Sequence, residues 1–492
     1  MTPAPDILLL SAILVPFLGA LIIPLFHRRP NLREAVTIIT ALALGASVLG
    51  LLAPTLAGLR PRVQIIEVLP GLALAFEVEP LGMLFALVAS LLWVVNSIYS
   101  IGYMRSNEEP RQTGYYVCFA IALGSTMGVA FAKNLFTLFL FYEVLTISTY
   151  PLVTHHRDAE AMRAGRLYLI MLLGASLVLF LPAIVATWVL AGTVDFVSGG
   201  VLGGKASGPL IALLLGLYLF GVGKAAVMPL HFWLPAAMVA PTPVSALLHA
   251  VAVVKAGVFT IAKLAFYTFG LDTLSAPGVS GWAVYLASAC IVAASLIALT
   301  RGNLKARLAY STVSQLAYVV LGAVIASPLA LSGSGMHIVM HAFGKITLFF
   351  CAGAIYVAHH KTEIAELDGI GRLMPVTMLA FFVASLSIIG LPPLGGTWSK
   401  WMLALAAVDR GYMVAVAALM LSSLLNVFYL LSIVARAFFL PPAGAAAGAP
   451  VKIAEAPLAC LIPLSLTALA SAALFFIPDR IEALLLRLFA GS

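Results

Sequence analysis

Apolar runs of 18 or more residues recur from one end of this chain to the other, and no other feature constrains its fold as strongly. Each run is long enough to cross the ~30 Å hydrocarbon core of a bilayer as a helix. With 62% hydrophobic residues, 9% charged residues and a mean hydropathy of +1.10, the chain carries more apolar surface than a soluble core of this length can use. The reading is an all-α, polytopic membrane protein with about fourteen transmembrane helices. The expected spans are 7–26, 34–55, 81–104, 114–131, 134–154, 164–191, 209–238, 243–267, 282–299, 308–326, 334–357, 374–404, 412–436 and 457–477. The first has no basic stretch before it, so it is expected to be retained as a span, not cleaved as a signal. The closing stretch "FFIPDRIEALLLRLFAGS" is amphipathic and is expected to form a tail helix at the membrane interface.

The net charge of +8 does not point to nucleic acid, because the basic residues are scattered over short loops. In a membrane protein they report topology. Fifteen lie in loops after odd-numbered spans, against eight in loops after even-numbered spans and in the tail. This bias places the odd loops in the cytoplasm and both termini outside, in a bacterial or archaeal inner (plasma) membrane. Cys118, Cys290, Cys351 and Cys460 sit in apolar stretches without close spacing and read as packing residues. No cofactor and no metal are expected. A haem would need a histidine from a second helix, and no c-type or iron–sulfur spacing occurs.

Four lysines and one glutamate fall inside the spans: Lys224, Lys255, Lys345, Lys400 and Glu143. A charge at the bilayer centre costs at least ~2.5–3.5 kcal/mol, so these groups must face one another, a polar cavity or water. Lys133 and Lys263 lie near helix ends and are expected to snorkel to the headgroups. Glu143, in "LFLFYEVLTISTY", reads as the one deep acid and as the natural partner of Lys224. In "MHIVMHAFGKITLF" (336–349), His337, His341 and Lys345 are four residues apart. Four residues turn a helix by only about 40° beyond a full turn, so the three form one polar stripe. His249, before Lys255, and His231, after Lys224, extend the set. A static role is the plain reading of any single buried lysine. Four lysines with an acid and several histidines instead point to a proton path, because a buried lysine loses part of its preference for the charged form and histidine passes protons near neutral pH.

Two spans are interrupted. Span seven contains Pro229, Pro235, Pro241 and Pro243; span twelve contains Gly390, Pro392, Pro393, Gly395 and Gly396. Breaks at membrane depth are tolerated only where protein or a wet cavity satisfies the freed backbone. A matched pair of breaks is the mark of an inverted repeat around an ion site. The organisation expected is 1–113 (helices 1–3), 114–267 (first inverted repeat, helices 4–8), 282–440 (second inverted repeat, helices 9–13) and 441–492 (helix 14 and tail).

These residues carry a resemblance. "LFLFYEV" around Glu143, "GKAAVMPLHFWLPAAMVAPTPVSALLHAVAVVKAG" (223–257), "HAFGKITLF" (341–349) and "GLPPLGGTWSK" (390–400) resemble the antiporter-like membrane subunits shared by respiratory complex I and Mrp-type cation/proton antiporters. The resemblance covers roughly residues 80–440. It implies two inverted five-helix units with broken helices 7 and 12. It also implies a hydrophilic axis through Glu143, Lys224, Lys255, His341, Lys345 and Lys400, with Lys400 as an exit-side proton site. It implies partners too: other membrane subunits of a hetero-oligomeric complex, protons and Na+, and no nucleic acid. "ELDGIGRLMPVT" (366–377) and the chain length look closest to the D-type Mrp subunit. The expected function is a proton-translocating subunit of an Mrp-type monovalent cation (Na+)/H+ antiporter. The alternative is a proton-pumping membrane subunit of an NADH:quinone oxidoreductase or hydrogenase-like complex. A redox-active component lacks flavin, haem or cluster ligands in the sequence, a self-sufficient transporter runs against the partners that the resemblance implies, and a structural anchor leaves the costly interior charges unexplained.

Overall fold

The computed structural model describes residues 4–441 and 452–489. Twelve helices among these residues are long and apolar enough to cross a bilayer. They are α1 (Pro5–Phe26), α2 (Pro30–Leu56), α3 (Pro80–Ser106), α4 (Gln112–Ala130), α5 (Leu135–Val153), α6 (Ala159–Ala191), α8 (Thr242–Phe269), α9 (Gly281–Thr300), α10 (Leu304–Ile325), α11 (Pro328–His359), α13 (Met413–Phe439) and α14 (Leu458–Phe476). The two remaining spans are the two shorter apolar helices: α7 (Gly208–Gly221), and α12, which runs over Pro375–Ile389, breaks, and resumes over Gly396–Asp409. The fold is the expected all-α bundle of fourteen spans with helices 7 and 12 broken. Its outer faces are apolar, with Ile147, Val189 and Met420 each more than half exposed, as a lipid-facing or subunit-facing surface requires.

The helices start where the sequence supplies caps. Asn134 accepts from the Thr137 N–H at 2.8 Å to begin α5, and Asn303 accepts from the Ala306 N–H at 3.2 Å to begin α10. The two caps share more than geometry. Beside Asn134, Leu135 donates to the Val194 carbonyl and Phe196 to that of Lys133. Beside Asn303, Leu304 donates to Thr362 and Ile364 to Gly302. The same antiparallel bridge therefore recurs five spans apart, and an odd number of crossings puts the two copies on opposite faces.

Two features depart from expectation. The connection from α2 to α3, to which the spans assign no structure, is an antiparallel hairpin of β1 (Arg62–Leu69) and β2 (Leu72–Glu77), turning at Pro70–Gly71. The break in α7 begins at Val222, well before Pro229, so Lys224 lies within the unwound backbone, not ahead of it. The tail forms a short helix, α15 (Pro478–Leu486), whose buried Leu485 packs against Gly335 of α11.

Candidate proton-transfer site

All four predicted lysines are buried, and each ends on a carbonyl, a hydroxyl or an imidazole. Lys224 Nζ donates to the Tyr142 carbonyl at 2.8 Å and to Thr146 Oγ1 at 2.5 Å, both on α5, and lies 3.2 Å from the centre of the Tyr142 ring. The Tyr142 hydroxyl accepts from the Lys224 backbone N–H at 3.0 Å, and Trp233 donates to the Gly223 carbonyl at 3.1 Å. These bonds satisfy part of the unwound backbone, as a break at membrane depth demands. Across from it, α8 approaches so closely that a Cβ at Gly257 would stand 2.8 Å from the Lys224 carbonyl oxygen.

Lys255, on α8, meets His341 of α11 with Nζ 2.5 Å from Nδ1. The His341 ring stacks on His337 at 5.8 Å, and His337 Nδ1 lies 2.9 Å from Ser399 Oγ. Tyr318 of α10 stacks on His337 at 5.3 Å and has Lys400 Nζ 4.9 Å from its ring centre. Lys400 itself donates to the Ile389 carbonyl at 3.0 Å, freed by the break in α12, and to Ser423 at 3.1 Å. Gly390 makes that turn at φ +89°, where a side chain would also press on the lysine stem at 2.7 Å. One chain of polar groups thus runs from Lys255 to Lys400. Lys345 branches from it, donating to Ser311 at 2.7 Å and the Leu308 carbonyl at 3.2 Å; Ser311 accepts in turn from Tyr429, which bonds Asn426.

His249 is fully buried against Phe349, and neither ring nitrogen has a protein hydrogen-bond partner among the described residues. The Nε2 atoms of His337 and His341 and both oxygens of Glu143 are in the same state. A buried polar group left unsatisfied costs about 1–3 kcal/mol, so such a line of groups marks where water belongs.

Three expectations need correction. Glu143 makes no ion pair within 4 Å of Lys224: the lysine bonds Tyr142 and Thr146, and Glu143, three residues before Thr146 on α5, acts on it through space without contact. Its neighbours Leu140, Val144 and Ile147 are exposed at 39%, 38% and 60%, but both of its own carboxylate oxygens are buried. Lys263 does not snorkel. It is fully buried, 3.4 Å from Glu79, and donates to the Ala132 carbonyl at 2.8 Å; Tyr267 also bonds Glu79, at 2.9 Å. His231 stands apart from the row, against Phe232 and Tyr310, with its Nδ1 at the Pro229 carbonyl. The hydroxyl and amide residues Thr146, Ser311, Tyr318, Ser399, Ser423 and Asn426 went unread; their signal was polarity inside apolar helices.

The sequence pattern of the family described as NADH:quinone oxidoreductase/Mrp antiporter, transmembrane, matches residues 132–426, which include every residue of the row. The chain belongs to this family. It is 32% identical over 409 residues to an NADH-quinone oxidoreductase subunit N from Desulforudis audaxviator, covering 80% of each chain. It is 33% identical over 412 residues to a probable K(+)/H(+) antiporter subunit from Rhizobium meliloti, covering 81% of this chain and 39% of that protein. Against several other curated relatives it spans between half and three fifths of their length. In fold it is similar to a chain of the Mrp complex from Dietzia sp. DQ12-45-1b, with a TM-score of 0.87, 23% identity, and coverage of 99% of this chain and 97% of that one. The antiporter-like resemblance of the motifs is therefore correct, and the chain is an antiporter-like membrane subunit of this family.

Proposed function

We propose that this subunit moves protons across the membrane along Lys224, Lys255, His249, His341, His337, Lys345 and Lys400, with Glu143 acting on Lys224 through space. The observation that carries this reading is the row itself. Four buried lysines end on carbonyls, hydroxyls and an imidazole, and among the described residues no carboxylate stands within ion-pair distance of them. A lysine so placed can give up its proton and regain it, and the imidazoles between can relay it.

In this reading the odd-loop face is cytoplasmic and both termini are outside. The working units are 114–267 and 282–440, flanked by 1–113 and 441–492, and the recurring Asn-capped bridge supports that division. The subunit works beside other membrane subunits, and the exposed side chains beside Glu143 are where one would dock. The coupled reaction is monovalent cation/proton exchange of the Mrp type, with Na+ as the cation, in the manner of a D-type subunit. Proton pumping in a quinone oxidoreductase is the second reading, favoured by the subunit N relative. The reconstituted complex separates them: Na+-dependent proton exchange without an electron donor supports the first, and proton uptake only during electron transfer supports the second. For the row, Lys224→Ala and Glu143→Ala should each abolish proton-coupled transport in a fully assembled complex. Full activity in both variants would refute it.

A further inference from the structure

The odd-loop face holds a cluster that the lysine row does not use. Glu109, between α3 and α4, points its Oε2 at two consecutive histidines after α5: 3.5 Å from Nε2 of His155 and 3.3 Å from Nε2 of His156. The His155 and Glu109 side chains are only 4% and 9% exposed, whereas His156 is 38% exposed and meets solvent. Arg111 holds the histidine pair in place by donating to the His155 and His156 carbonyls at 2.7 and 3.3 Å.

Behind the cluster lies a cavity of about 150 Å³. Glu109 and His156 form one wall, and Tyr103, Thr242, Lys305 and Lys361 form others. Lys305 is tied to the Ala240 carbonyl at 2.8 Å, where the broken stretch after α7 meets α8. Thr242 is the first residue of α8, and Ser245 and His249 follow it on one face, three and seven residues on. Ser245 Oγ and both His249 nitrogens are buried without a protein hydrogen-bond partner among the described residues. Polar groups therefore continue from the cavity floor toward Lys255.

We infer that Glu109, His155 and His156 are the proton-collecting mouth of this subunit, exchanging protons with the aqueous phase at His156 and passing them by way of the cavity and Thr242, Ser245 and His249. The inference rests on the proton-transfer reading above. In the step, His156 takes H⁺ from hydronium, leaving water, and then returns H⁺ to a water of the cavity; no other bond changes. Glu109 supplies the negative charge that keeps this imidazole protonatable on the alkaline side. Its hydrogen bond raises His156 above the ordinary histidine value, against partial burial, with Asp158 acting in the same sense and Lys305 opposing. Lys361, across the cavity, and Arg111, on the backbone, are the other charges facing the cluster.

The test uses the whole complex in proteoliposomes, with proton-coupled cation flux read between about pH 6 and 9. His156→Gln and Glu109→Gln should each lower the rate about threefold or more at the alkaline end, with the deficit shrinking as the pH falls. Glu109→Asp should restore part of the alkaline limb. A profile unchanged in shape, or a rate lowered equally at every pH in assembled complex, overturns the inference, the second outcome meaning a structural role. Because the His156 side chain is 38% exposed, its substitution is expected to leave the fold intact, and assembly is checked by size-exclusion chromatography. Lys255→Ala serves as the reference. If that variant transports normally, the proton-transfer reading fails. If it is inactive while the His156 and Glu109 variants keep the native profile, only the mouth is wrong.

Discussion

Two buried lysines of the same helix show opposite solutions to one problem. Lys255 and Lys263 are eight residues apart on α8, and both are fully buried. Lys263, near the even-loop face, has Glu79 at 3.4 Å, two backbone carbonyls and three aromatic rings within 6.0 Å. Lys255, near the middle, has an imidazole in place of a carboxylate. Other cations near the helix ends follow Lys263: Lys133 pairs with Asp195, Arg105 and Arg33 with Glu34, and Arg436 with Asp368. The four central lysines follow Lys255. In the proposed reading a paired charge holds structure, and one in a polar row with no carboxylate in contact keeps a proton that can leave.

The sharpest way to break this contrast is to keep the charge and remove its lability. Lys255→Arg should be as inactive as Lys255→Ala, with transport lowered about a hundredfold or more, because a guanidinium does not deprotonate in a protein. Lys263→Arg should retain most transport, because there only the pairing matters. Proton flux in the reconstituted complex measures both. Equal tolerance at the two positions would erase the distinction.

The converse experiment gives a free lysine a partner. Ser311→Asp would place a carboxylate where a hydroxyl now sits 2.7 Å from Lys345, and Thr146→Asp would do the same at Lys224. Each turns a central lysine into a copy of Lys263 and should lower transport about tenfold or more while the complex still assembles. Breaking a true pair should show the reverse pattern. Glu79→Ala leaves the Lys263 ammonium buried alone, costing about 3–5 kcal/mol. Thermal stability and yield should fall, and the joint change Glu79→Gln with Lys263→Met should recover much of the loss.

The spans and the central lysines were legible because each is a local signal: hydropathy over 18 residues, or one ammonium where hydrocarbon is expected. The early break in α7 was not, because what unwinds it is distant. The Tyr142 hydroxyl and the Trp233 indole bond the freed backbone at Lys224 and Gly223, whereas the prolines start only at 229. Lys263 was misread for the same reason. Its place near a helix end suggested headgroups, but Glu79, nearly two hundred residues earlier, covers it. The charges of Glu143 and Lys224 were legible, but not their spacing: the lysine bonds Thr146, three residues from Glu143 on α5, and no direct contact between the two charges forms. The β-hairpin did leave a signal, Pro70–Gly71 between runs rich in Val, Ile and Leu, which the span search passed over.

The smallest effect tests whether a cluster can be both paired and labile. Glu109 is the one rim carboxylate among the described residues that is held by histidines alone. Burial works against its charge, but the two histidines beside it, 3.5 and 3.3 Å away, outweigh this and hold it at about 2. An unfolded glutamate titrates near 4.5, so this stabilisation is complete above that value and is lost only as the pH falls through about 2. His156 runs the other way. Raised above 6.5 by Glu109, it stabilises fully below 6.5, and the contribution is lost as the pH rises through its folded value. Exposure weakens the pair, so the melting temperature of the complex should drop by only about one degree across that rise. His156→Gln and Glu109→Gln should both remove this increment of pH dependence. If Glu109→Gln left it in place, the histidine would be titrating independently of its carboxylate, and the cluster would be a rim pair like the others.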